Sequence, residues 1–259
     1  MILAIDVGNS NINIGGIEDE QITFEARLAT DRIKTSDQYS VELKNLLDLF
    51  RVSLAEISGC IVASVVPPVS NSIITAVRKV FGFRPMVVGP GLKTGLNILC
   101  DSPAQVGSDL IVAAVAALKI AKPPLAVVDM GTATTVTVLD ANGAFLGGSI
   151  CTGVKISMEA LMSRTAQLPG ISLEAPKRVI GRNTVECMQS GLMVGAAAML
   201  DGLLDRMEEE LGQKLNVIAT GGIARFVIPL CRREMIYDRD LVLRGLAIIY
   251  KNNQKLVQK

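Results

Sequence analysis

"AIDVGNSN" (residues 4–11) and "VVDMGTAT" (residues 127–134) share one pattern: an apolar run, then Asp-x-Gly, then small hydroxyl or amide side chains. Their surroundings repeat as well. Residues 2–7 form an apolar run suited to a buried strand, residues 11–14 alternate, and a turn at 18–20 leads into residues 22–25. Residues 124–129 form a second apolar run, 134–140 alternate, Asn142-Gly143 is a hairpin turn, and 144–150 return. Each set predicts a three-stranded antiparallel meander. Helical spacing follows at 36–50, from Pro67-Pro68 to Phe81, and at 103–120, with strands at 59–66 and 85–89. The second half adds helices at 155–166, 183–211 and 240–253 and a strand at 215–222 that runs into glycines. The prediction is an α/β chain of two similar domains, 1–119 and 120–259, each a mixed sheet flanked by helices. Two such domains facing one another would bring both Asp-x-Gly turns to a shared cleft.

Bulk composition narrows the chemistry. The chain has 259 residues, 49% of them apolar, and 26 basic against 25 acidic side chains for a net charge of +1. That balance gives no electrostatic case for nucleic acid or an anionic membrane as partner. No uninterrupted apolar run reaches the ~18 residues that span a bilayer. The first five residues lack a basic region and meet Asp6 at once, so they read as a strand and not as a signal peptide. Five cysteines, an odd number without any C-x-x-C, argue against a disulfide framework or zinc site and fit a reducing cytoplasm. Cys100, Cys151 and Cys187 read as core or pocket-lining residues, since no activating base is evident. There is no histidine, which removes the Ser-His-Asp arrangement and the imidazole base. Acid–base chemistry falls to carboxylates, lysine, tyrosine or cysteine.

One Asp-Gly turn merely connects a hairpin. Two in matching contexts suit phosphate binding. Glycine at Gly8 and Gly131 permits positive φ and leaves room for backbone N–H donors. Ser10, Thr132 and Thr134 add hydroxyls, and the strand-end carboxylates Asp6 and Asp129 suit a hard cation or its water shell. "ATGG" (219–222) would let a flat base lie near the Gly221-Gly222 backbone. This order resembles the actin, sugar kinase and heat-shock chaperone superfamily, whose two domains share an actin-like, ribonuclease H-like fold. On the residues alone, Asp109 reads equally as a solvated side chain of helix 103–120 or as one facing a cleft. The small-residue stretch 191–200 reads as core or dimer interface, and the basic tail 250–259 as a frayed end.

"TDRIKTSDQY" (30–39), "VASVVPP" (62–68), "GPGLKTGLNILCDSPAQVGSDLIVAAVAA" (89–117), "SRTAQLP" (163–169) and "IGRNTVECMQSG" (180–191) together resemble type III pantothenate kinase over nearly the entire chain. The resemblance implies ATP-dependent phosphorylation of pantothenate, the first step of coenzyme A synthesis, by a cytoplasmic homodimer. It implies magnesium and a monovalent cation, K+ or NH4+. Carried over by position, Asp6, Val7, Gly8, Asn9, Ser10, Asn11, Ile12 and Asn13 form the first ATP loop. Gly131 and Thr132 belong to the second, and Asp129 holds the monovalent cation. Asp109 is the general base of a Gly-x-Asp-Arg motif, here Gly107-Ser108-Asp109-Leu110. Thr184 contacts pantothenate.

Three positions depart from the family pattern. Leu110 replaces the motif's arginine, Cys100 replaces a tyrosine, and Thr152 stands where a proline usually precedes Gly153. An arginine suits the pantothenate carboxylate, and its charge-assisted hydrogen bond contributes about 1.5–3 kcal/mol, or about 10- to 150-fold in affinity. Lys155, Arg164 and Arg182 are candidate substitutes. An altered acceptor pocket beside intact phosphate loops leaves three readings: a weak pantothenate kinase, a kinase for another small alcohol, or a nucleotide-binding sensor without turnover.

Overall fold

The computed structural model of the chain describes residues 1–257. Its helices are α1 (Ser36–Leu49), α2 (Pro67–Phe81), α3 (Ser108–Ile120), α4 (Val154–Arg164), α5 (Thr184–Gln189), α6 (Gly195–Leu211), α7 (Ala224–Val227) and α8 (Leu241–Val257). One sheet holds β1 (Ile2–Val7), β2 (Asn11–Glu18), β3 (Gln21–Ala29), β4 (Gly59–Ser64) and β5 (Met86–Val87), in the order β3-β2-β1-β4-β5. The other holds β6 (Leu125–Met130), β7 (Ala133–Leu139), β8 (Phe145–Thr152), β9 (Asn216–Thr220) and β10 (Ile236–Tyr237), in the order β8-β7-β6-β9-β10. β1 runs antiparallel to β2 and parallel to β4, and β6 runs antiparallel to β7 and parallel to β9. The repeat visible in the sequence is therefore a repeat of whole sheets, as the two-domain α/β fold requires. Register places Asp6 opposite Asn13 and Ala63, and Asp129 opposite Thr135 and Thr220.

β1 is buried along nearly its whole length, so both of its faces need cover. Leu3, Ile5 and Val7 point to one side with Ile12, Ile14 and Phe24, against Tyr39, Leu43 and Leu47 of α1 and Val69, Ile73 and Val77 of α2. Ala4 points to the other with Ile61 and Ala63, against Val112 and Val115 of α3 and Leu243, Leu246 and Ile249 of α8. In the second sheet, Ala126, Val128, Met130, Val136 and Val217 pack on Leu192, Met193, Ala197, Leu200 and Leu204. Those last residues lie on one helical run, Thr184–Leu211, in which a π-turn at residues 190–194 joins α5 to α6. By length and composition this run could cross a membrane. Core helices meet the same criterion, and the run carries much of the second core.

The structure differs from the sequence expectation in four places. The described residues form two compact units: Met1–Leu96 with Asp101–Ala117 and everything from Asp240 onward, and Asn97–Cys100 with Leu118–Arg239. α8 thus belongs with the first sheet and not with residues 120–239, because its apolar stripe packs on β1, β2 and β4. Residues 97–100 belong with the second unit, where Ile98 bridges Phe145. The tail is helical to Val257, and Gln258 and Lys259 lie outside the described residues. β10 has two residues and α7 four, too short for periodicity to reveal.

Glu208, 6% exposed, closes the end of α6. Its carboxylate accepts hydrogen bonds from Lys214 Nζ (2.6 Å), Arg233 Nη1 (2.8 Å) and the Leu215 N–H (3.1 Å). Burial alone would raise its pKa, but the Arg233 and Lys214 partners outweigh that and hold it at about 2. A depressed carboxyl contributes stability that is present above its unfolded value of 4.5 and is lost as pH falls toward 2. Glu208→Gln is expected to lower unfolding free energy by about 1–3 kcal/mol at neutral pH. Urea midpoints measured across the acid range should also fall less steeply for the variant than for the wild type.

Candidate active site

The first Asp-x-Gly turn links β1 to β2. The Gly8 N–H donates to the Asn11 carbonyl at 2.9 Å, so Asn9 and Ser10 form the exposed tip. Asp6 is only 9% exposed, and its Oδ2 accepts from Asn13 Nδ2 at 3.2 Å. Asn13 Oδ1 in turn accepts from Arg27 Nε at 2.9 Å. Val7 and Ile12 are wholly buried core side chains, so only their backbone could meet a ligand.

The second turn links β6 to β7, and the Gly131 N–H donates to the Ala133 carbonyl at 3.0 Å. Neither Gly8 nor Gly131 uses the positive φ that glycine permits. Gly221 does, at +94°, and a Cβ there would sit 2.6 Å from the Met130 carbonyl and 2.7 Å from Asp129 Oδ1. Only glycine lets the turn after β9 lie this close to the Asp129 carboxylate. Gly153 fits more tightly still: its Cβ would lie 2.1 Å from the Thr132 carbonyl. Thr152 is exposed, so the departure from the family pattern leaves that contact intact. Gly222 is exposed beside Gly221.

Thr134 does not serve the turn as expected. It pairs with Met130, is 1% exposed, and its hydroxyl is buried without a partner among the described residues. Strand alternation turns it toward the core shared with Met130 and Val136. The residue missed is Thr135, which stands opposite Asp129 with a buried, unpartnered hydroxyl. Its only signal was its place in the alternating "TTVTV".

Asp109 lies in the first turn of α3 and is partly buried. Its Oδ1 accepts from the Leu110 N–H at 2.9 Å. Burial pushes its pKa up, against the opposing pull of that bond. Ser108 holds the helix start in place. Its hydroxyl donates to the Ser64 carbonyl and accepts from the Ser64 N–H, both at 3.1 Å. A hydroxyl has one proton, so the donor of Ser108 is spent on β4. Gly107 precedes it, and Leu110 is half-buried. Cys100, also half-buried, and Thr184, exposed at the start of α5, lie in the second unit, while residues 107–110 lie in the first.

The family model for type III pantothenate kinase matches residues 2–206. The chain belongs to the type III pantothenate kinase family. A type III pantothenate kinase of Exiguobacterium sp. is 45% identical over 255 residues, covering 98% of this chain and 100% of the relative. Another, of Halalkalibacterium halodurans, is 43% identical over 253 residues, covering 98% and 100%. Among solved structures, component A of (R)-2-hydroxyglutaryl-CoA dehydratase from Acidaminococcus fermentans aligns over 100% of this chain and 99% of its own. Its TM-score is 0.59 at 15% identity, a likeness of fold.

A kinase uses ATP, typically with a divalent metal, on a small-molecule acceptor. Among the described residues no three His, Cys, Asp or Glu side chains gather into a metal cage. Single carboxylates at strand ends, with the orphaned Thr135 hydroxyl opposite Asp129, fit a cation carried largely by phosphates and water. Gly221 combines a close backbone approach with a positive φ, so it has two reasons to be glycine. Gly221→Ala, strained in φ and overlapping the Met130 carbonyl, should destabilise the fold by about 1–3 kcal/mol. An unchanged urea midpoint would contradict that.

Proposed function

We propose that this protein transfers the γ-phosphoryl group of ATP to the primary hydroxyl of pantothenate, the first committed step toward coenzyme A. The observation that carries the reading is full-length membership of the family in a chain without histidine whose Asp109 carboxyl, at the start of α3, has a raised affinity for a proton. In the first unit, residues 6–13 bind phosphate oxygens and Asp109 takes the acceptor's proton. In the second, Gly131 and Thr132 bind phosphate, Asp129 holds K+ or NH4+, and Gly221 and Gly222 lie along the base. Magnesium on the phosphates supplies charge neutralisation when bound. In the first unit Gly107, Ser108 and Leu110 are assigned to the acceptor, with Ser108 tethered to β4, and in the second unit Cys100 and Thr184 are assigned to it by the family resemblance. The acceptor O–H breaks, its proton passes to Asp109, the new O–P bond forms, and ADP leaves. The working protein is read as a cytoplasmic homodimer acting on a small molecule, as the family resemblance implies.

Leu110 and Cys100 favour a second reading, in which the acceptor is another small alcohol or the protein senses nucleotide without turnover. A coupled ADP-release assay with ATP, magnesium, potassium and pantothenate separates these readings. Turnover on pantothenate supports the first, and nucleotide binding with no turnover on any primary alcohol supports the second. Asp109→Asn should lower kcat by about 100- to 10,000-fold. A base with a raised pKa loses activity sooner as pH falls, so the acid limb of kcat should lie above the ordinary aspartate value of 3.8. Leu110→Arg should lower the KM for pantothenate; an unchanged KM would remove the pocket argument.

A further inference from the structure

Residues 30–39 have no part in the roles assigned above, yet Thr30 and Arg32 among them hold the first turn. Thr30 Oγ1 donates to the Gly8 carbonyl at 2.7 Å, and the Thr30 N–H donates to the Ser10 carbonyl at 3.0 Å. Arg32 Nη2 donates to Asn9 Oδ1 at 3.3 Å. Every residue from 8 to 10 is thus tied to this strap. The strap has its own anchor in Tyr39 of α1, which is fully buried. The Tyr39 hydroxyl donates to the Asp31 carbonyl at 2.8 Å and accepts from the Asp31 N–H at 3.3 Å. Thr35 and Gln38 form a capping box that starts the helix bearing Tyr39.

A trans peptide unit is planar, and its C=O and N–H point in opposite directions. Binding the Gly8 carbonyl to Thr30 turns the Asn9 N–H away from the strap. Binding the Ser10 carbonyl does the same for the Asn11 N–H. Phosphate sites in tight turns are made of N–H groups aimed in this way. The tip has no left-handed glycine to set its peptide planes, so an outside tether must set them.

We infer that Thr30 is a positioning residue for nucleotide binding: its hydroxyl and amide fix the two peptide planes that present the Asn9 and Asn11 N–H groups to phosphate oxygens. The inference rests on the reading that this turn binds ATP. Tyr39 holds the strap against α1, and Arg32 steadies the Asn9 side chain.

Titration calorimetry of the full chain with Mg-ATP tests it, alongside thermal melts and steady-state kinetics. Thr30→Val keeps the volume and loses the hydroxyl. It should raise the Kd for Mg-ATP by about 5- to 10-fold, the worth of one hydrogen bond. The KM for the acceptor should not move, and the melting temperature should stay within a few degrees. Thr30→Ser, which keeps the oxygen, should bind within about 2-fold of wild type. Equal Mg-ATP affinity in Thr30→Val and wild type would overturn the inference while leaving the kinase reading standing. So would a loss that Thr30→Ser fails to restore. A wild-type protein that binds no Mg-ATP would overturn the kinase reading itself. Should Thr30→Val not fold, Tyr39→Phe removes only the oxygen that brackets Asp31, and Mg-ATP affinity equal to wild type there would equally overturn the inference.

Discussion

In each sheet an aspartate stands on the central strand, next to its carboxyl end, with a tight turn immediately beyond. An ionised carboxylate taken from water is costly unless it is hydrogen-bonded or paired. At Asp6 the partner is Asn13, directly across the hairpin, and Arg27 stands behind it on β3. At Asp129 the neighbours are Thr135 on β7 and the glycine turn after β9. Keeping these carboxylates where they are requires a central strand flanked by one antiparallel and one parallel neighbour. Both sheets meet that requirement with the same strand order. Carboxyl ends of strands are where open α/β sheets bind ligands.

The base proposed above, Asp109, answers a different need. Phosphoryl transfer asks for positioning and charge neutralisation, plus one group to accept a hydroxyl proton. Without histidine, a carboxylate is the economical choice, and partial burial on α3 raises its proton affinity. The Ser108–Ser64 hydrogen bonds fix the helix start to β4, the strand beside β1. The start of α3, and Asp109 with it, is thereby tied to the sheet that carries Asp6.

Much of this was legible in the sequence, and the reasons are local. Period-two alternation in residues 134–140 and buried runs at 2–7 and 124–129 mark the meanders. The Asp-x-Gly spacing marks the repeat. What escaped depends on long-range contacts. Thr134 and Thr135 are neighbours of equal polarity, and only strand register tells which faces Asp129. α8 reads as a closing helix of the second half, and only its packing assigns it to the first sheet. The Thr30 bonds to Gly8 and Ser10 run from a side chain and an amide to backbone some twenty residues away, a contact no periodicity encodes. The positive φ open to glycine is used at Gly221 and not at Gly8 or Gly131, because turn type follows from the strands a turn joins and not from glycine alone.

Amide hydrogen exchange of the wild-type protein with and without Mg-ATP tests the central claim most directly. The account predicts nucleotide-dependent protection concentrated in residues 8–13, 130–134 and 220–222. Protection confined to other segments, with those three unchanged, would contradict it.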